Sequence, residues 1–168
     1  MAGPKKAPRR AERSLAFQVL YSLTFTPAMT VRDLANAFRQ APEQGDAAEK
    51  TGDPEGFAWE LVEGVWTNMA EIDARLASFS QNWRIERMGK VEITLLRLAL
   101  YEIMFRGDVP PKVAINEAVE LSKQFGDDGS RGFVNGILDA AAKALESGKL
   151  LADAGQETLP EAQDGEPL

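Results

Sequence analysis

Between Arg9 and Phe25 the apolar residues Ala16, Val19, Leu20 and Leu23 return at steps of three and four, which places them on one stripe of an amphipathic helix. Pro27 ends it. Thr30 with Asp33 three residues later reads as a capping pair that opens a shorter helix to Gln40, with Val31, Leu34 and Phe38 inward. Asp53-Pro54 is a helix-start signal, because Asp accepts from first-turn amides and Pro lacks the amide that would go unsatisfied there. From Phe57 the residues Leu61, Val65, Met69, Ile72, Leu76 and Phe79 keep the helical rhythm, predicting one long helix of about six turns.

A short turn over Ile85–Met88 and Gly89 precede a strong helix over Lys90–Phe105, with Val91, Leu95, Leu98 and Met104 buried. This helix is apolar on more than one side, as befits the centre of a bundle. Gly107, Asp108, Pro110 and Pro111 interrupt the chain, and a helix follows from Lys112 to Phe125 with Gly126 as its left-handed cap. The last helix is predicted from Ser130 to Glu146, carrying Phe133, Ile137, Ala140 and Ala141 on one side and stopping at Gly148. Gly136 inside it suggests close backbone packing.

No segment alternates with period two for long enough to make a sheet. The expected fold is all-α, with about seven helices in two small bundles that share the central helix. Residues 1–148 form one domain, with residues 1–8 a basic flexible arm and residues 41–56 an acidic surface loop. Residues 149–168, acidic and bearing Gly and Pro, are expected to be a disordered tail.

Composition removes most chemistry. The 168 residues include no cysteine and no histidine, which excludes disulfides, thiolate nucleophiles, the usual zinc sites and the commonest general acid–base group. The net charge of −7 argues against a nucleic-acid partner until the charges are located. Residues 1–13 carry five cations against Glu12 alone, whereas residues 40–57 and 146–168 hold five and six acids against one lysine each. The basic start followed by apolar residues has the outline of an export signal, but Gln18, Ser22 and Thr24 interrupt the apolar run and Glu12 interrupts the basic one. No stretch is apolar for long enough to span a bilayer.

Arg9, Arg10 and Arg13 sit at the first turns of the first helix, where the positive end of the helix dipole adds to their attraction for phosphate. A solvated basic terminus is the plainer reading of the same residues. Cations at that end disfavour the isolated helix and ask for compensation. Glu117 and Glu120, three apart, read as helical surface charge rather than a catalytic or metal-binding pair.

Two stretches, RRAERSLAFQVLY at 9–21 and LLRLALYEIMFRGDVPPKVAINEAVELSKQFGDDGSRGFVNGIL at 95–138, resemble the NusB family. The resemblance implies a double three-helix bundle and a cytoplasmic transcription antitermination factor, without enzymatic activity or cofactor. It implies binding to the single-stranded boxA element of ribosomal leader RNA jointly with the ribosomal protein NusE, within a transcribing RNA polymerase complex that carries other Nus factors. The fold also occurs at the front of some ribosomal-RNA methyltransferases, which need a catalytic domain with a reactive cysteine that this chain lacks.

On that resemblance the RNA-binding candidates are Arg9, Arg10, Arg13, Lys112 and Phe133. Phe133 is the aromatic of the Phe-Val-Asn-Gly stretch and either stacks a splayed base or belongs to the core. Gly132 stands where the family often has a basic residue, and Arg131 can supply that charge. Tyr21 and Glu92 correspond to positions that meet NusE. The competing reading is a helical protein–protein adaptor or homodimer without direct RNA contact.

Overall fold

The computed structural model describes residues 8–41, 53–80 and 85–147. The expected arm, much of the acidic loop, the acidic tail and the Gly148 stop fall largely or wholly outside those residues. Among the described residues there are seven α-helices and no strand: α1 (Arg9–Leu23), α2 (Val31–Arg39), α3 (Phe57–Thr67), α4 (Met69–Phe79), α5 (Lys90–Phe105), α6 (Pro111–Phe125) and α7 (Asp128–Glu146). A 3-10 turn over Ile85–Arg87 precedes α5.

Helix α5 belongs to both halves of the molecule. It packs with α1 and α3 on one side and with α6 and α7 on the other, while α2 covers α1 and α3, and α4 reaches α5 and α7. Ten of its sixteen residues are buried, from Ile93 to Ile103, which accounts for an apolar pattern on more than one side. Leu95, Leu96, Leu98 and Leu100 on α5 meet Phe17 and Val19 on α1, Leu61 and Val65 on α3, and Val134 and Leu138 on α7 in one continuous core.

Local signals explain where the helices begin and end. Thr30 accepts from the Asp33 amide at 3.1 Å while the Asp33 carboxylate accepts from the Thr30 amide at 3.0 Å, a complete capping box on α2. Asp127 and Ser130 make the same reciprocal pair on α7, so that helix starts at Asp128, two residues before the position expected. Gly56, at φ 99°, caps α3, and the Asp53-Pro54 pair lies ahead of the helix instead of opening it. Only glycine adopts that φ without strain.

The long helix expected from Phe57 to Phe79 is two. Asn68 leaves helical geometry at φ −105°, ψ 15°, and its side-chain amide donates to the Gly64 carbonyl at 2.8 Å. Local competition of this kind lets the axis turn while the apolar stripe stays on the core. Three further expectations fail for identifiable reasons. Gly126 is extended (φ −101°, ψ −177°), and what requires glycine there is crowding, since a Cβ would lie 2.9 Å from the Ser122 carbonyl oxygen. Gly136 is exposed with nothing near its missing side chain, so no close packing accompanies it. Val31, the first residue of α2, is 53% exposed and does not point inward.

Candidate functional site

The start of α1 lies against the α5–α6 connection and α6. Arg9 reaches Asp108 at 3.5 Å, and Arg10 grips Glu117 with two bonds, Nε to Oε2 and Nη2 to Oε1, both 3.1 Å. These carboxylates supply the compensation that cations at a helix N-terminus require. Glu117 is the first cause of the upward shift of the Arg10 pKa. Asp108 is also held by both Nε and Nη2 of Arg106, each at 3.0 Å, and Arg106 reaches Glu60 at 2.6 Å. Asp108 and Glu60 push the Arg106 pKa further up, and Arg106 in turn holds the Asp108 carboxyl below its ordinary range. The guanidinium groups of Arg9, Arg13 and Arg106 gather around the Phe57 ring at 4.4, 5.2 and 5.3 Å from its centroid.

Arg13 is not part of the exposed patch. Its Nε donates to Glu102 on α5 at 2.8 Å, and the two side chains are 6% and 2% exposed. Leu95, Leu98, Ala114 and Leu121 line the space around the pair. The expectation of three surface arginines therefore holds for Arg9 and Arg10, while Arg13 ties α1 to the central helix. Burial pushes the Glu102 carboxyl pKa up, and Arg13 opposes that shift.

Lys112, in the first turn of α6, and Arg131, in the first turn of α7, are both exposed. Glu120 lies between them in sequence, on α6. Its hydrogen bond from Lys123, at 2.8 Å, is the main reason its carboxyl sits below the usual range, and the charges of Arg10 and Arg131 add to the effect. One carboxylate on α6 thus feels cations from the starts of both α1 and α7. The start of α1 therefore lies over the start and middle of α6, whereas α7 begins beyond the far end of α6, beside the start of α5. Phe133, two residues after Arg131, is half-buried and packs against the core.

A second surface lies where α1 meets α2. An aromatic column rises from the core: Phe125 stacks on Phe17 at 4.5 Å, Phe17 on Tyr21 at 5.8 Å, and Tyr21 meets Phe25 edge-on at 5.2 Å. Phe25 is 59% exposed and lies under the Lys90 ammonium at 3.8 Å. Met29 and Val31 are exposed nearby in the chain. Tyr21 is half-buried within this column. Glu92 is half-buried too, and it accepts a short hydrogen bond from the Ser130 hydroxyl, so it joins the starts of α5 and α7 instead of standing free in solvent. Phe25, Lys90 and Arg106 were missed as candidates from sequence. An aromatic residue just past a helix end, in Thr-Phe-Thr-Pro, is the signal that could have found the first.

Among the described residues no group of three acidic side chains could hold a metal ion, and no helix is long and apolar enough to cross a membrane. The sequence profile of the NusB family matches residues 10–143. The transcription antitermination protein NusB of Desulfovibrio desulfuricans is 59% identical over 153 residues, covering 89% of this chain and 93% of its own. Among solved structures, NusB of T. maritima superposes with a TM-score of 0.66 at 33% identity, covering 83% of this chain and 93% of that one. A complex of the antitermination factors NusB and NusE with double-stranded RNA contains a chain that matches with a TM-score of 0.63 at 28% identity, over 81% and 96%.

Proposed function

The chain belongs to the NusB family, and from that membership we propose that it is a non-enzymatic transcription antitermination factor that binds boxA-type single-stranded leader RNA together with NusE. The observation that carries this reading is the basic edge made where the start of α1 lies over α6, with Arg9 and Arg10 exposed beside Asp108 and Glu117 and Lys112 exposed in the first turn of α6. Phosphates are attracted to that edge, and the outer part of Phe133 offers a stacking face for one base. The exposed end of the aromatic column, Tyr21 and Phe25 beside Lys90, suits a protein partner, because aromatic area with a polar rim is what such interfaces use. NusE is the partner proposed for it, and the pair then acts on the transcribing polymerase with the other Nus factors at ribosomal RNA operons.

The test is fluorescence anisotropy of labelled boxA-type RNA with and without NusE, against a scrambled strand of equal length and a duplex. We expect a preference for the single boxA strand that NusE strengthens. With Arg9, Arg10 and Lys112 neutralising three phosphates, log affinity should fall against log salt with a slope of about −2. A flat salt response with no preference among the RNAs overturns the reading. NusE binding without RNA binding would favour a protein-only adaptor, to which the exposed Phe25, Met29 and Val31 equally lend themselves.

A further inference from the structure

The two exposed arginines of α1 are held in different ways. Arg9 touches Asp108 through one 3.5 Å contact, on a carboxylate already gripped twice by Arg106, and its guanidinium lies over the Phe57 ring. Arg10 is fixed by both of its inner donors, Nε and Nη2, on the two oxygens of Glu117. The Glu117 side chain is only 16% exposed while that of Arg10 is 64% exposed. Carboxylate below and guanidinium above leaves the Nη1 edge of Arg10 facing outward. Glu117 also lies close enough to the buried Glu102 to repel its charge, so stripping Arg10 away would leave two neighbouring carboxylates less compensated.

From this geometry we infer that Glu117 is a positioning residue for RNA binding: it holds Arg10 by the inner edge of the guanidinium so that the outer edge is preset to receive a phosphate. The carboxylate is not a rival occupant that must be displaced. Arg10 would remain bidentate to Glu117 in the complex and add its phosphate bond from the Nη1 side. Holding a long side chain in advance removes an ordering cost of about 0.5–1.5 kcal/mol from the binding step, which corresponds to roughly two- to tenfold in affinity. Such a role is absent from the surface-charge reading of Glu117, and it rests on the RNA-binding function proposed above.

The two accounts of Glu117 differ in sign. Glu117→Gln removes a negative charge from an RNA-facing edge, which by field alone raises affinity, but it also loosens Arg10. We expect Glu117→Gln to weaken binding of boxA-type RNA roughly two- to tenfold in the full chain with NusE present. In an Arg10→Ala background the same change should leave affinity equal or raised, because only the field effect remains. Thermal melts of all four proteins must coincide within a few degrees for the cycle to be read, and the near-isosteric Gln at a partly exposed site suits that requirement. Glu117→Gln binding as tightly as the parent, or more tightly, with Arg10 in place overturns the inference. Equal weakening in both backgrounds also overturns it, since Glu117 would then act through the fold and not through Arg10. Absence of RNA binding by the unaltered chain with NusE would instead remove the function on which the inference rests.

Discussion

Replacing Arg13 with Ala separates a structural arginine from a binding one. The change would leave the Glu102 carboxylate 1% exposed, without its 2.8 Å partner, among Leu95, Leu98, Ala114 and Leu121. Breaking one side of a buried ion pair costs about 3–5 kcal/mol. At about 2–4 °C per kcal/mol for a domain of this size, the melting temperature should fall by about 6–20 °C. The loss should depend on pH with a definite sign. Burial already raises the Glu102 pKa above its unfolded value, so this group stabilises the fold most below that value and contributes less as pH rises through the folded one. Without Arg13 the folded value moves further up, so the deficit is largest at neutral pH and shrinks on acidification to about pH 5. Urea titrations followed by circular dichroism at both pH values measure it. A cost under about 1 kcal/mol, or the same deficit at both pH values, refutes the reasoning. A paired change, Arg13→Met with Glu102→Leu, removes both charges into an apolar setting and should restore stability to near the parent. If that pair folds normally yet loses RNA affinity, Arg13 is a contact residue after all.

Phe133→Ala should weaken RNA binding by about 1–3 kcal/mol, whereas Phe133→Leu should keep the packing beneath and still lose most of the stacking; anisotropy and melting curves on both variants distinguish the two. Gly64→Ala should destabilise the fold by about 1–3 kcal/mol, because the new methyl would occupy the space of the Tyr101 ring, which is buried between α3 and α5 and stacked on Phe105; an unchanged melting temperature would show that the ring moves aside freely.

The parts of the fold that local chemistry specifies were legible in the sequence. The ends of α5 agree residue for residue, since Gly89 precedes it and Arg106 to Pro110 cannot continue it, and the Thr30–Asp33 box marks α2 unambiguously. The break at Asn68 was not legible, because Leu61, Val65, Met69, Ile72 and Leu76 keep one apolar stripe through both helices. Nothing in that spacing reveals an amide turning back on its own helix. The site divides along the same line. Arg9 and Arg10 are exposed where a basic helix start suggests, but the fate of Arg13 depends on Glu102, 89 residues away. A lone acid inside the apolar run Leu98 to Phe105 was the available clue, and its partner could be named only once α1 and α5 were packed together.

The overall charge of −7 does not oppose the proposed RNA contact at the basic edge. At physiological salt a phosphate senses charges within about 8 Å, so the residues around it matter more than the average over the chain. The acids that are near it are organised. Asp108 lies between Arg9 and Arg106, Glu117 sits beneath Arg10, and Glu120 is engaged by Lys123 within the fields of Arg10 and Arg131. Asp108 and Glu117 each limit the motion of an arginine at the start of α1, where the dipole would otherwise drive it into solvent. An edge built from paired charges has a weaker long-range pull than one of bare arginines, but a more fixed geometry. Such an edge favours a strand whose phosphates match the fixed positions of Arg9 and Arg10 over one that merely carries charge, so discrimination, more than raw affinity, is what the pairing would contribute to the proposed function.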